Sequence, residues 1–189
     1  MRYRRFLTYV WAALVVGVSV LWLLHPEMLS EEAFAHLLRR LGQWALPGFV
    51  VIALVRGALL VPSTPVVLAG GALFPQSFLA ILAISMAGIV LSATLLYRFP
   101  GFAGYDSLLA ARYPERLSRL QVHLAKPEAM WLVAAWAFFP VVPTDLICYA
   151  AGLVRMPYRR MILGIIIGEL PLVTAYILLG TKLAGLLPS

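Results

Sequence analysis

Residues 45–97 contain a single charged side chain, Arg56, and are otherwise almost wholly apolar. As a continuous helix this run would reach about 80 Å, roughly two and a half times the hydrocarbon core of a bilayer. Two plain crossings would leave length over. Two prolines three apart, Pro62 and Pro65, fall in the middle of the run. Proline has no N–H and clashes with the preceding turn, so a P-x-x-P pair ends one helix and starts another. The pattern predicts a hairpin at 46–74 that enters the membrane and retreats, followed by a full span at 76–97. Carbonyls released by the break cannot face lipid and must find protein or a wet cavity.

The 189 residues are 62% hydrophobic and 12% charged, with a mean hydropathy of +0.92. Those values exclude an ordinary soluble domain and indicate an integral membrane protein. The net charge of +7 does not indicate nucleic acid, because the basic residues flank the apolar segments. Arg2, Arg4 and Arg5 precede an uncharged stretch at 6–24. It is longer than a signal-peptide core and no A-x-A site follows, which predicts an uncleaved anchor with a cytoplasmic N-terminus. Residues 30–44 show helical amphipathic spacing, with Ser30 as a cap, Glu31 and Glu32 in the first turn, Arg39 and Arg40 in the last, and Gly42 at the end. This segment is expected to lie at the outer interface. The chain thus divides into 1–44, an anchor with an interfacial helix, and a domain at 45–187.

Residues 98–128 are polar and basic, with Asp106 and Pro114 as helix starts. A second apolar hairpin is expected at 129–154, carrying Pro140, Pro143 and Asp145, and a last span at 161–182, carrying Glu169 and Pro171. With both hairpins re-entrant, 11 of the 15 Lys and Arg fall on the cytoplasmic side: Arg2, Arg4, Arg5, Arg98, Arg112, Arg116, Arg119, Lys126, Arg155, Arg159 and Arg160. The hairpins also answer each other. "VPSTPVVLAGGALFP" (61–75) and "FPVVPTDLICYAAGLVRMP" (139–157) share a P-x-x-P, an apolar stretch, a small-residue step ending in Gly and a further Pro. The expected fold is therefore an all-α integral membrane protein, an inverted repeat of two re-entrant helical hairpins plus about three transmembrane helices.

Each restarted half-helix presents N–H groups and a partial positive charge to the bilayer middle, which favours an anion. Ser63 or Thr64 is expected to cap the helix begun by Pro65, and Pro143 to begin the other. Arg56, Asp145 and Glu169 are charges at membrane depth, each needing a partner or water. Arg56, Ser63 and Thr64 are the candidate binding residues for an anion such as a phosphate. Asp145 and Glu169 are the candidate proton carriers, and a plain ion pair from Arg56 to either carboxylate is the structural alternative. No catalytic or metal-binding pattern is present: the three His lie outside the apolar segments, and Cys148 is alone. Neither an enzyme nor a cofactor is expected.

An Arg ahead of "VPSTP", then "AGGALFP", "YRFPG", "FPVVPTDLICYAAG" and "GELP", in this order, resemble the DedA superfamily, also called VTT-domain or SNARE-associated-Golgi-protein-like membrane proteins. The resemblance implies two hairpins facing each other across the membrane and lipid translocation. Bacterial relatives flip undecaprenyl phosphate, eukaryotic ones scramble phospholipids, and proton coupling is attached to several bacterial members. It assigns Arg56 as the first-hairpin arginine and Asp145 as the acid after the second P-x-x-P. Ala137 stands where the family commonly has a second arginine. Many relatives have a further C-terminal span; without it the C-terminus is expected outside. The reading is a flippase or scramblase of the bacterial inner membrane, with anionic membrane lipid as partner and proton coupling and homo-oligomerisation left open. A small-anion or solute transporter and a non-transporting assembly factor are the alternatives.

Overall fold

The computed structural model describes residues 30–59, 61–140 and 143–186, with isolated residues between 9 and 27. The anchor expected at 6–24 and the side of the N-terminus fall largely outside the described residues. Every described element is helical: α1 (Glu31–Arg40), α2 (Ala45–Val55), α3 (Ser63–Leu73), α4 (Phe78–Ala103), α5 (Tyr105–Arg112), α6 (Pro114–Leu124), α7 (Ala129–Phe138), α8 (Thr144–Leu153) and α9 (Tyr158–Leu186). Short 3₁₀ turns occupy Gly42–Trp44, Arg56–Leu59 and Pro75–Ser77. Three stretches are long and apolar enough to cross a membrane: Gly42–Leu59, Pro75–Ala103 and Tyr158–Leu183. The last two contain the spans expected at 76–97 and 161–182. The first was expected as one arm of a hairpin, yet with its 3₁₀ turns it has the length of a span. The other arms, α3, α7 and α8, have only 10 or 11 residues each, about half the hydrocarbon core.

The chain forms two compact units. One contains Ala13–Ile89 and Leu170–Ser189, the other Met1–Ala12 and Val90–Glu169. In the first, the Ser30 hydroxyl accepts the N–H of Ala33 at 3.1 Å, the cap the sequence predicts, and starts α1. Gly42 ends this segment with φ +54°, a conformation costly for any residue with a Cβ. The apolar face of α1 packs on α2 and α3, with Ala35 and Leu38 buried. Phe49, Val66, Val67 and Ile81 complete that core.

In the second unit α7 and α8 pair, and α5 packs on both α6 and α8. Val133, Met156, Met161 and Ile165 are buried. Tyr97 donates to the carbonyl of Met156 at 2.5 Å, and its ring stands 5.4 Å from that of Tyr158. Arg155 has φ +57° at the end of α8, and its guanidinium pairs with Asp106 at 2.9 Å. Gln121 on α6 donates to Val154 O at 3.1 Å. The polar connection after α4 is thus tied to the end of the second hairpin. Helix α4 runs beyond the expected end at Tyr97 to Ala103, carrying Pro100 inside it. Pro100 is buried, and its packing offsets the one hydrogen bond it forfeits.

The same glycine contacts recur in both units. In the first, a Cβ on Gly88 of α4 would strike the carbonyl oxygen of Ala53 on α2, and one on Gly71 of α3 would strike that of Ile177 on α9. In the second, Gly168 of α9 meets Ala134 O on α7, and Gly152 of α8 meets Tyr97 O on α4. Each hairpin therefore lays its first arm on the long helix that follows it and its second arm on the other long helix. Only glycine permits backbones this close, the usual means of helix association in lipid. Replacing Gly152 with Val should destabilise the fold by about 1–3 kcal/mol through overpacking against rigid backbone. The check is the thermal unfolding midpoint of the purified chain in detergent.

Candidate functional site

The proline breaks fall where the sequence places them. The first hairpin is interrupted between Leu59 and Ser63, the second between Phe138 and Thr144. In an unbroken helix the Val61 carbonyl would accept from residue 65 and the Trp136 carbonyl from residue 140, and both are prolines. The structure shows what replaces those donors. Arg56 Nη1 donates to Val61 O at 3.2 Å, while Val61 N donates to Arg56 O at 3.0 Å. Trp136 O instead accepts from Phe139 N at 3.2 Å in a tightened last turn. The Trp136 indole N–H reaches Pro143 O at 3.4 Å.

Arg56 is only 7% exposed. It opens the 3₁₀ turn that follows α2, so its backbone and its side chain both hold the break. Two expectations are corrected here. Ser63 and Thr64 do not cap α3; they are its first two residues, and no side-chain hydrogen bond closes that end. Pro62, extended at φ −55° and ψ 143°, takes the N-cap position. Pro65 therefore stands third in the helix instead of starting it, where its missing N–H has no intrahelical acceptor to lose. Likewise Pro143 is the N-cap of α8, which begins at Thr144.

In the other unit the first turn of α8 collects the carboxylates. Asp145 accepts from the Ser92 hydroxyl of α4 at 3.1 Å. Glu169, on α9 and 4% exposed, accepts from the Thr144 hydroxyl at 2.5 Å. Two acids far apart in sequence thus meet the same helix start, where N–H groups and the helix dipole favour negative charge. Sequence reasoning named both acids but missed Ser92 and Thr144. Their signal was only a lone hydroxyl in an apolar helix and a hydroxyl beside an acid. It also passed over Ser85 on α4, which is 3% exposed and whose Oγ has no hydrogen-bond partner among the described residues. Helical serines usually return their hydroxyl to the preceding turn. Among the described residues no cluster of His, Cys, Asp or Glu could hold a metal ion.

With both breaks, Asp145 and Glu169 in place, comparison with known families is decisive. The VTT domain matches residues 61–182, about two thirds of the chain. The chain belongs to the VTT-domain family. This is the domain of the DedA/SNARE-associated Golgi protein family, and the long apolar helices make the chain a multi-pass membrane protein. No curated protein and no solved structure matches it. The VTT match takes in both P-x-x-P breaks and both acids but begins five residues after Arg56.

The hydroxyl contacts separate Ser92 and Thr144 from Ser85. Ser92→Ala and Thr144→Val should each cost about 1 kcal/mol by stripping a donor from a carboxylate in a protein interior. Ser85→Ala should leave stability within ~0.5 kcal/mol of the parent, since it forfeits no bond. Denaturation of the three variants in detergent provides the comparison.

Proposed function

We propose that this VTT-domain protein moves a phosphate-bearing lipid, such as undecaprenyl phosphate or a phospholipid, across a bacterial inner membrane. The observation that carries the reading is the buried Arg56 at the first proline break, with its guanidinium at a backbone carbonyl and the uncapped start of α3 a few residues on. A cation in an apolar segment is expensive, and such residues mark substrate paths more often than they serve packing. The guanidinium fork is suited to two-point contact with a phosphate. The first-turn N–H groups of Ser63 and Thr64 would add backbone donors of the kind that hold phosphates at helix starts. An arriving headgroup would exchange its water for these donors while its acyl chains remained in the bilayer.

The two hairpins are read as halves of an inverted repeat, each entering and retreating from its own face. The recurring glycine contacts and the half-core length of α3, α7 and α8 support that reading. Asp145 and Glu169 are assigned to proton exchange. A carboxylate that accepts from a hydroxyl can take up a proton and keep that contact by turning the hydroxyl round, which lowers the cost of cycling between charged and neutral forms.

The full chain reconstituted in liposomes should move a labelled phospholipid or polyprenyl phosphate between leaflets. Arg56→Lys should retain part of the rate and Arg56→Ala should lose at least about tenfold, the worth of one charge-assisted contact. Melting of each variant separates loss of the carbonyl contact from loss of transport. Arg56→Ala moving lipid at the parent rate would remove arginine from the mechanism, and uptake of a small oxyanion without lipid movement would replace the lipid reading. For the coupling, an imposed pH gradient should accelerate the parent, and Glu169→Gln should abolish that acceleration. Equal response to the gradient in both would refute the proton role.

A further inference from the structure

The second unit contains an open cavity of about 240 Å³ that plays no part in the roles above. Its walls are Leu109 from α5, Leu117 and Leu120 from α6, and Val154 at the end of α8, with Tyr113 and Arg116 alongside. It exceeds the roughly 150 Å³ of apolar cavities that take up benzene-sized guests. The chemistry is divided. The walls are aliphatic, while Arg116 is exposed and Arg112 lies with its guanidinium carbon 5.8 Å from the centre of the Tyr113 ring. Arg112 Nε also donates to the Tyr113 hydroxyl at 3.2 Å, which holds this second cation against a side chain that lines the cavity. Of the acids in this segment, Asp106 is engaged by Arg155, and Glu115 is exposed beside Arg116.

The cavity's place along the chain decides what occupies it. Its first wall residue follows the span candidate Pro75–Ala103 by six positions, and its last, Val154, precedes the candidate Tyr158–Leu183 by four. It therefore stands where two apolar helices reach the polar boundary of the bilayer. Leu108 and Val122, on the same two helices α5 and α6, are both more than 60% exposed. That combination suits helices lying at the headgroup level. A soluble anion would make no use of the leucine walls, and an uncharged lipid would make no use of Arg116 and Arg112.

We propose that this cavity is a resident site for an anionic phospholipid of the surrounding bilayer, with an acyl segment against Leu109, Leu117 and Leu120 and the phosphate at Arg116 and Arg112. Basic pockets beside membrane helices recognise lipid headgroups in this way. The site uses none of Arg56, Asp145 or Glu169 and stands whether or not the chain transports lipid.

The test is native mass spectrometry of the full chain in detergent, with dioleoyl phosphatidylglycerol or dioleoyl phosphatidylcholine added at equal concentration. The parent should retain the anionic lipid over the zwitterionic one. Arg116→Gln should cut that preference by about fivefold, and Arg112→Gln with Arg116→Gln should remove it. Leu120→Trp, at a position 44% exposed, should lower retention of phosphatidylglycerol by filling the groove. Inorganic phosphate or glycerol phosphate in excess should not displace the lipid. Unchanged preference in the double arginine variant, full retention in Leu120→Trp, or displacement by the chain-free phosphates would each overturn the proposal.

Discussion

The Val61 carbonyl needs a donor that the sequence has withdrawn. In a continuous helix the N–H of residue 65 would supply it, and residue 65 is proline. In water that loss would be trivial; in hydrocarbon an unsatisfied carbonyl costs several kcal/mol. Arg56 answers it by reaching across five residues to Val61 O while its own carbonyl receives Val61 N. A cation is thereby installed at the interrupted part of an apolar hairpin, next to the start of α3. One arrangement secures the break and gives it a chemical character. The second break is secured differently, by a tightened turn at Trp136, and its charge is negative, from Asp145 and Glu169 around α8.

Around these breaks the packing is done by backbone as much as by side chains. Gly88 on Ala53 and Gly71 on Ile177 in one unit correspond to Gly168 on Ala134 and Gly152 on Tyr97 in the other. Such contacts suit a membrane protein, where no hydrophobic force separates helix from lipid and close approach must supply the association. They also hold short arms firmly. A helix of 10 or 11 residues is marginal alone, so α3, α7 and α8 depend on the long helices they lie against. The one strained residue among the described positions outside glycine, Arg155, is likewise held by tertiary contact, through its pair with Asp106.

Much of this was legible in the residues. The cap at Ser30, the start at Pro114 and both proline breaks follow from local chemistry, because a missing N–H or a capping hydroxyl acts within one turn, whereas the helix expected to start at Asp106 begins at Tyr105 behind Gly104. Ser63 and Thr64 were misjudged as caps for a related reason: they are good capping residues, but the extended backbone of Pro62 already ends the turn and draws them into the helix. The end of α4 was placed too early because the polar, basic stretch that opens at Arg98 was read as the connection, and buried packing around Pro100 carried the helix past it. The partners of the acids were hidden altogether. Ser92 and Asp145 are 53 residues apart, and nothing in either segment announces the other.

By itself the sequence determined the class, the order of apolar helices, the two interruptions and the identity of the three charges within apolar segments. These depend on hydropathy and on proline's covalent structure, which act along the chain. Tertiary structure alone decided that Arg56 closes onto Val61 O, that Ser92 and Thr144 hold the two carboxylates, and that paired glycines set each arm against its long helix. Those outcomes depend on which atoms come within about 3 Å once helices pack, a distance that spacing in one dimension does not encode.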